Sequence, residues 1–404
     1  MMITLFIFLS IVKSQEVRFL QLTDIHYSNA FNIDYPNNWC QSPNMTEHKS
    51  NEFLYGMYGC NPPIELVDEV FSHAKSNGPY SSIIISGDIC SHDLPENLYM
   101  NCLLDMRSKL DEYFVGIPIV FSMGNNDIPG NYDIQCSDNY FKLLAEVFSD
   151  QIPQDQLEIF NRSASYTRII NGQMFIVLNT NLFDKYSEDE CGILNWFEQQ
   201  LNEAEKNGYY PIVVGHIPPG VSINSLNDHY NLTMQSQLFE IIIKHSKTIN
   251  SFIFGHTHRE EFRLLPKENP SVMLSGLSVS PVYNNNPGYK ILLSTTNRQH
   301  GYIDSLHFTM NLKLSNEQKK GIWFENYSYV DVYKLPEISV ENLKSLQWRL
   351  KNDLISYNLY RWRSVGYYDE NELQIKCALS SKNVDEMMKC TKINDIDDCP
   401  GLKE

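Results

Sequence analysis

Seven side chains of this 404-residue chain stand where metal chemistry would need them, each just beyond a short apolar run. They fall in five steps: Asp24-x-His26, Gly87-Asp88, Gly124-Asn125, Gly215-His216 and Gly255-His256-Thr257-His258. Two metal ions with about four protein ligands each, sharing one carboxylate, call for seven residues. Carboxylate, amide and imidazole donors without a thiolate suit zinc, manganese or iron better than calcium or a structural cysteine site, and zinc is the first expectation. Two such ions about 3.5–4 Å apart neutralise phosphate charge and activate a water between them, which is the chemistry of phosphate-ester hydrolysis. Any single step is weak, since Gly87-Asp88 alone is a common turn. Four Gly-to-ligand steps in one chain are hard to reconcile with core packing.

A loop presents such donors reproducibly only if a strand delivers it. VRFLQLTD, SSIIISGD, IPIVFSMGNND, PIVVGHIPPG and INSFIFGHTH each read as a buried strand ending in a polar turn. In α/β sheets ligands gather beyond the strand ends, where the loops converge. IELVDEVFSHAK carries Leu66, Val67, Val70 and Phe71 at helical spacing. A second helical stretch is expected around Leu98 to Tyr113, and ILNWFEQQLNEAEKNG is an amphipathic helix with Gly208 as its C-cap. The stretch between Asp127 and Gln173 reads as polar and variable. QMFIVLNTN, VMLSGLSVSP and YKILLST continue the β pattern, followed by HGYIDSLHFTM and the aromatic-rich WFENYSYVDVY. From about Val340 the pattern turns helical, giving one α/β unit with a C-terminal helical extension.

The formal charge is −17 and no basic stripe occurs, which excludes a nucleic-acid-tracking surface. The apolar run from Ile3 to Val12 is short of the about 20 residues a bilayer-spanning helix needs. It matches the core of a signal peptide, so residues 1–15 are expected to be a leader. No later run has the length of a transmembrane segment. Sequons at Asn44, Asn161, Asn231 and Asn326 mark candidate glycosylation sites. Nine cysteines without a C-x-x-C pair fit an oxidising compartment, and the odd number leaves at least one without an intrachain partner. The expected location is secreted, or the lumen of lysosome-like acidic vesicles. His48, His73, His229, His245, His300 and His307 lack a motif context and read as surface or core positions. Trp323, Trp348 and Trp362 read as packing or glycan-masked residues.

In order, the five steps follow the pattern D-x-H, G-D, G-N-H-D/E, G-H, G-H-x-H, and the chain resembles the calcineurin-like metallophosphoesterase superfamily. More narrowly it is similar to the acid sphingomyelinase-like phosphodiesterases, through SGDICSHD, GNND, LNTN, LNWFEQQLNEAEKNG ahead of VVGHIPPG, GHTHREEF and NNPGYK. The resemblance spans roughly Val17 to Tyr333. It implies a four-layer α/β sandwich, two facing mixed β-sheets flanked by helices, with 16–335 as the catalytic domain and 336–404 as a helical, disulfide-bearing subdomain. It implies one metal on Asp24, His26, Asp88 and His258 and a second on Asp88, Asn125, His216 and His256, with attack by a hydroxide bridging the two. The implied substrate is a small-molecule or lipid phosphodiester, sphingomyelin-type or nucleotide, with at most transient membrane contact. Disulfides Cys40–Cys60 and Cys377–Cys390 are implied as well.

Catalytic roles carry over to His92 and to the histidine of G-N-H-D/E, which here is Asn126. An asparagine donates a hydrogen bond to phosphate but gives up no proton. GNND also resembles the vacuolar endopolyphosphatases, so polyphosphate or a nucleotide phosphoanhydride is the alternative substrate, and an inactive metal-binding homologue is the non-enzyme alternative. The leader runs almost directly into the first strand, leaving no room for the saposin domain of acid sphingomyelinase itself.

Overall fold

The computed structural model describes residues 16–365 other than 325, together with 381–383, 386 and 389. The expected leader, Cys377 and Cys390 lie outside the described residues. The chain enters on β1 (Glu16–Leu22), whose last four residues are all buried. After a long loop, α1 (Ile64–Ser76) turns Leu66, Val67, Val70, Phe71 and Ala74 inward, the spacing of one helical face. β2 (Ser82–Ile85), α2 (Tyr99–Tyr113) and β3 (Ile119–Phe121) follow. β2 lies parallel to β1 with Leu20 opposite Ile83, and β3 parallel to β2 with Ile84 opposite Val120. Strands covered on both faces need no alternation, which is why SIII and IVF are apolar throughout.

Two helices, α3 (Asn139–Val147) and α4 (Leu157–Ser163), then lead to the antiparallel pair β4 (Tyr166–Ile170) and β5 (Gln173–Val177). Next come α5 (Asn181–Lys185), α6 (Ile193–Asn207), β6 (Ile212–Val214), α7 (Leu232–Lys244), β7 (Ser251–Phe254), β8 (Glu261–Leu265) and β9 (Ser271–Ser275). These strands form one sheet in the order β4-β5-β6-β7-β9-β8, with β5, β6, β7 and β9 parallel. β10 (Gly288–Thr295), β11 (Asp304–Thr309), α8 (Leu312–Gln318), β12 (Tyr327–Ser328) and α9 (Tyr329–Tyr333) return the chain to the first sheet, ordered β12-β11-β10-β1-β2-β3. α10 (Val340–Asn352) and α11 (Leu354–Val365) supply the C-terminal helical region. The sheets meet face to face: Phe19 packs edge-on to Phe175 at 5.7 Å, and Gln21 Nε2 donates to the Phe254 carbonyl at 2.8 Å. This is the expected α/β architecture of two facing mixed sheets flanked by helices.

Three stretches differ from their sequence reading. The polar segment after Asp127 holds α3 and α4, with Asp138 capping α3 by accepting from Tyr140 N. β8 was hidden because Glu261 and Arg263 interrupt its apolar run; they pair inside the protein at 3.0 Å. The aromatic stretch before Tyr333 is a two-residue strand and then a helix, started by Ser328 Oγ accepting from Asp331 N. Gly208 does cap α6, at φ 70°.

Cys40 is bonded to Cys60, and two further disulfides join Cys90 to Cys102 and Cys136 to Cys191. No cysteine among the described residues is free. Asn44 and Asn326 are exposed; Asn161 lies on α4, and Asn231 caps α7.

Candidate metal centre

β1, β2, β3, β6 and β7 release their loops toward one place, and the seven donors meet there. Asp24, His26 and His258 bring ligand atoms within 4.8 Å of one another, as do Asp88, His216 and His256. Asp88 stands between the two groups, with Oδ2 3.5 Å from His26 Nε2 and 3.3 Å from His216 Nε2. Asn125 Oδ1 lies 3.1 Å from both His216 Nε2 and His256 Nδ1. On the other side, His258 Nε2 is 3.4 Å from Asp24 Oδ1 and 3.1 Å from His26 Nε2.

The backbone is bent to achieve this. Asp24, His26, Asp88, His256 and His258 all have positive φ, between 49° and 71°. Left-handed residues cost energy and persist where the surroundings over-determine them, commonly at working sites. The glycines serve close approach as much as turning. A Cβ on Gly124 would lie 2.1 Å from Asp88 Oδ1, and one on Gly87 2.4 Å from His216 Nδ1.

Ring orientation is fixed from behind. His26 Nδ1 donates to the Cys90 carbonyl at 3.2 Å and His216 Nδ1 to the Ser86 carbonyl at 2.7 Å, so each Nε2 faces inward. His26 Nε2 then presents a lone pair to His258 Nε2, a contact that a cation between them satisfies. Burial holds the His26 and His258 imidazoles well below their usual range, and burial with the neighbouring His216 brings His256 down to about 3. Neutral imidazole is the form that binds a metal. Burial lifts the Asp24 carboxyl to about 7 against the pull of His216, while His216 overrides burial to hold Asp88 well below the carboxylate range. Burial opposes a charge on His216, yet Asp88 and Asp24 raise it to about 9. A proton on His216 thus balances two buried carboxylates where divalent ions would do so more fully. The donor set fits two divalent cations.

Residues that the sequence did not single out hold this geometry. The Asp127 carboxylate accepts from four backbone N–H groups: Asp88 at 2.9 Å, Gly124 at 2.8 Å, Ile89 at 2.7 Å and Cys90 at 3.1 Å. It ties the Gly-Asp loop to the GNND loop. Thr180 Oγ1 accepts from the backbone of His216 and Ile217, and Asn131 Oδ1 accepts from Asn125 Nδ2, turning Asn125 Oδ1 inward. The Asp in position four of GNND was the available signal for the first and LNTN for Thr180; the contact made by Asn131 arises only from tertiary folding.

His92 joins the site. Its ring stacks on His26 at 4.1 Å and on Trp39 at 4.6 Å, and Nδ1 donates to Asn61 Oδ1 at 2.8 Å. Asn126 is buried beside the donor groups, but its own donors address Asp88: the backbone N–H meets Oδ1 and Nδ2 meets Oδ2, both at 2.8 Å. His229, set aside in the sequence, is brought in: its ring lies 5.3 Å from that of His256 and Nδ1 donates to the Pro218 carbonyl. His48, His73 and His307 pair elsewhere, with Asp34, Tyr289 and Glu260. His245 sits beside Glu198, and His300 hydrogen-bonds the Ile249 backbone. Tyr283, itself exposed, stands edge-on to His258 at 4.6 Å.

Comparison with known proteins agrees with this geometry. The family model for calcineurin-like phosphoesterases matches residues 17–260, more than half of the chain. A sphingomyelinase phosphodiesterase D from Dictyostelium discoideum is 29% identical, over 93% of this chain and 94% of its own. The human acid sphingomyelinase-like phosphodiesterase 3b is 24% identical over 94% of this chain and 90% of its own. The human cyclic GMP-AMP phosphodiesterase SMPDL3A is 23% identical over 87% and 83%. The chain therefore belongs to the calcineurin-like phosphoesterase family and is a metal-dependent phosphoester hydrolase.

Proposed function

We propose that the protein hydrolyses a phosphodiester of lipid-headgroup or nucleotide type, with zinc in both metal positions, outside the cell or in an acidic vesicle lumen. The observation that carries this is the pair of donor groups joined by Asp88. Asp24, His26, Asp88 and His258 would hold one ion; Asp88, Asn125, His216 and His256 would hold the other. Bound there, the ions would neutralise phosphate charge and acidify a water. The relatives are named as phosphodiesterases, and the three disulfides suit an oxidising compartment.

The chain's own residues do the rest. With Nδ1 committed to Asn61, His92 exchanges a proton with the substrate only through Nε2, and the Trp39 and His26 rings on either side hold its plane. Asn126 acts as a positioning residue that orients both Asp88 oxygens. His92→Ala should lower hydrolysis of an alkyl phosphodiester by about 10²-fold or more, the usual worth of a general acid. An aryl diester with a p-nitrophenolate leaving group needs little protonation and should lose far less. Metal content near two per chain is the control. Equal losses on both substrates would make His92 a phosphate binder.

One observation favours a second reading. Asn126 stands where the resemblance implies a second histidine and is engaged on Asp88, so one of the two implied proton donors is lost, which suits phosphoanhydrides such as nucleotide or polyphosphate substrates. On that reading, pyrophosphate linkages outpace alkyl diesters in the wild type, and His92→Ala spares them.

A further inference from the structure

His92 is gripped by a loop with little regular structure of its own. Between β1 and α1 the described chain has one regular element, the three-residue helical turn Asn51–Phe53. This loop nevertheless holds both His92 and the residue after it. The Trp39 ring stacks on His92 at 4.6 Å, and its Nε1 donates to Asp93 Oδ2 at 3.0 Å. Gln41 Nε2 donates to the Asp93 carbonyl at 3.3 Å, and Asn61 Oδ1 accepts from His92 Nδ1 at 2.8 Å. Trp39, Cys40 and Asp93 are left-handed, with φ of 52°, 55° and 50°. Residues other than glycine keep that conformation where their surroundings over-determine it.

The stacking partner and the hydrogen-bond partner of His92 come from two stretches of this loop, and one covalent bond joins them. Cys40 follows Trp39, Cys60 precedes Asn61, and the disulfide between them spans a separation of 20 residues. Beside it the Asn61 N–H donates to the Trp39 carbonyl at 2.9 Å. The two cysteines are buried with Phe31 in a small apolar cluster, flanked by Ile33 and Met57, that is separate from the main core. An apolar cluster of that size is too small to hold a loop without a covalent tie. Trp39 and Asn61 are thus mounted on a frame of their own, and neither they nor the two cysteines belong to the seven metal donors.

We infer that Trp39, Asn61 and the Cys40–Cys60 bond form one positioning unit, which sets the range of leaving groups the enzyme can expel by aiming His92 Nε2 at the departing oxygen. This rests on the reading of His92 as the group that protonates that oxygen. In that step the P–O bond to the alcohol breaks as the Nε2 proton moves to the oxygen, so an alcohol leaves in place of an alkoxide. A ring freed from Asn61 and Trp39 misses it. Asn61→Ala, Trp39→Ala and the paired Cys40→Ser, Cys60→Ser variant should each lower kcat on an alkyl phosphodiester by about tenfold or more, with KM little changed. On bis(p-nitrophenyl) phosphate they should cost less than about twofold, with metal near two equivalents per chain. Placed on top of His92→Ala they should cost nothing further, since they act through a ring that is gone. Removing the Cys136–Cys191 bond, which joins the segments ahead of α3 and α6, controls for a loosened fold and should leave the alkyl-to-aryl ratio unchanged. Equal losses on both esters, or losses that add to that of His92→Ala, overturn the inference. A selective His92→Ala beside an unselective Asn61→Ala refutes the unit alone, whereas a His92→Ala that slows both esters equally refutes the acid reading and the unit with it.

Discussion

Asp88→Asn is expected to empty both metal positions and to reduce turnover by about 10³-fold or more. The reasoning starts from its place between the two donor groups, 3.5 Å from His26 and 3.3 Å from His216. As the shared carboxylate it would supply charge to two ions, and losing about 4 kcal/mol of transition-state stabilisation corresponds to about 10³ in rate. The amide is a poor substitute. Asn126 already directs one N–H at each Asp88 oxygen, so an introduced NH₂ must face a donor. Metal analysis should find less than one equivalent per chain, with circular dichroism unchanged. Two equivalents and full turnover would remove Asp88 from the shared position.

Asp127→Ala should be nearly as damaging by another route, through stability rather than ligand loss. Its carboxylate satisfies four backbone N–H groups in two loops that carry Asp88 and Asn125. Buried donors left without partners cost about 1–3 kcal/mol each, so at least about 4 kcal/mol is at stake. That is a large part of the roughly 5–15 kcal/mol that holds a typical domain folded. Asp127→Asn keeps one accepting oxygen and should fall between Ala and the wild type. Denaturant unfolding of the three proteins ranks them; an Ala variant as stable as the wild type would show that water replaces the carboxylate there.

How much of this was legible beforehand follows from what kind of interaction each part depends on. The donors and the strands that deliver them could be read because a buried strand ending in a ligand leaves a local pattern, as IVVGH and FIFGH do. The α/β class followed from the alternation of strands and helices, whereas the two facing sheets were implied only by the family resemblance. The orienting groups could not be read. Asn61 meets His92 across 31 positions, Asn131 turns Asn125 from a loop, and Thr180 holds the backbone of His216 across 36. Asn61 and Asn131 have no sequence signature, and although Thr180 lies in LNTN, nothing in that string says that its hydroxyl holds His216, since each contact is defined by where the fold brings the side chain. The Cys90–Cys102 and Cys136–Cys191 bonds were equally silent, because cysteine spacing does not fix connectivity. His229 shows the same limit: its segment has no motif, and only the fold sets its ring beside His256.

The most direct test is stoichiometric reconstitution. Protein stripped with chelator is titrated with zinc while hydrolysis of bis(p-nitrophenyl) phosphate and bound metal are followed together. Activity should be absent in the stripped protein and should reach its plateau at two bound equivalents per chain, the number the two donor groups around Asp88 accommodate. Undiminished hydrolysis by the metal-free protein, or a plateau at one equivalent, would contradict two-metal phosphodiester hydrolysis at this site.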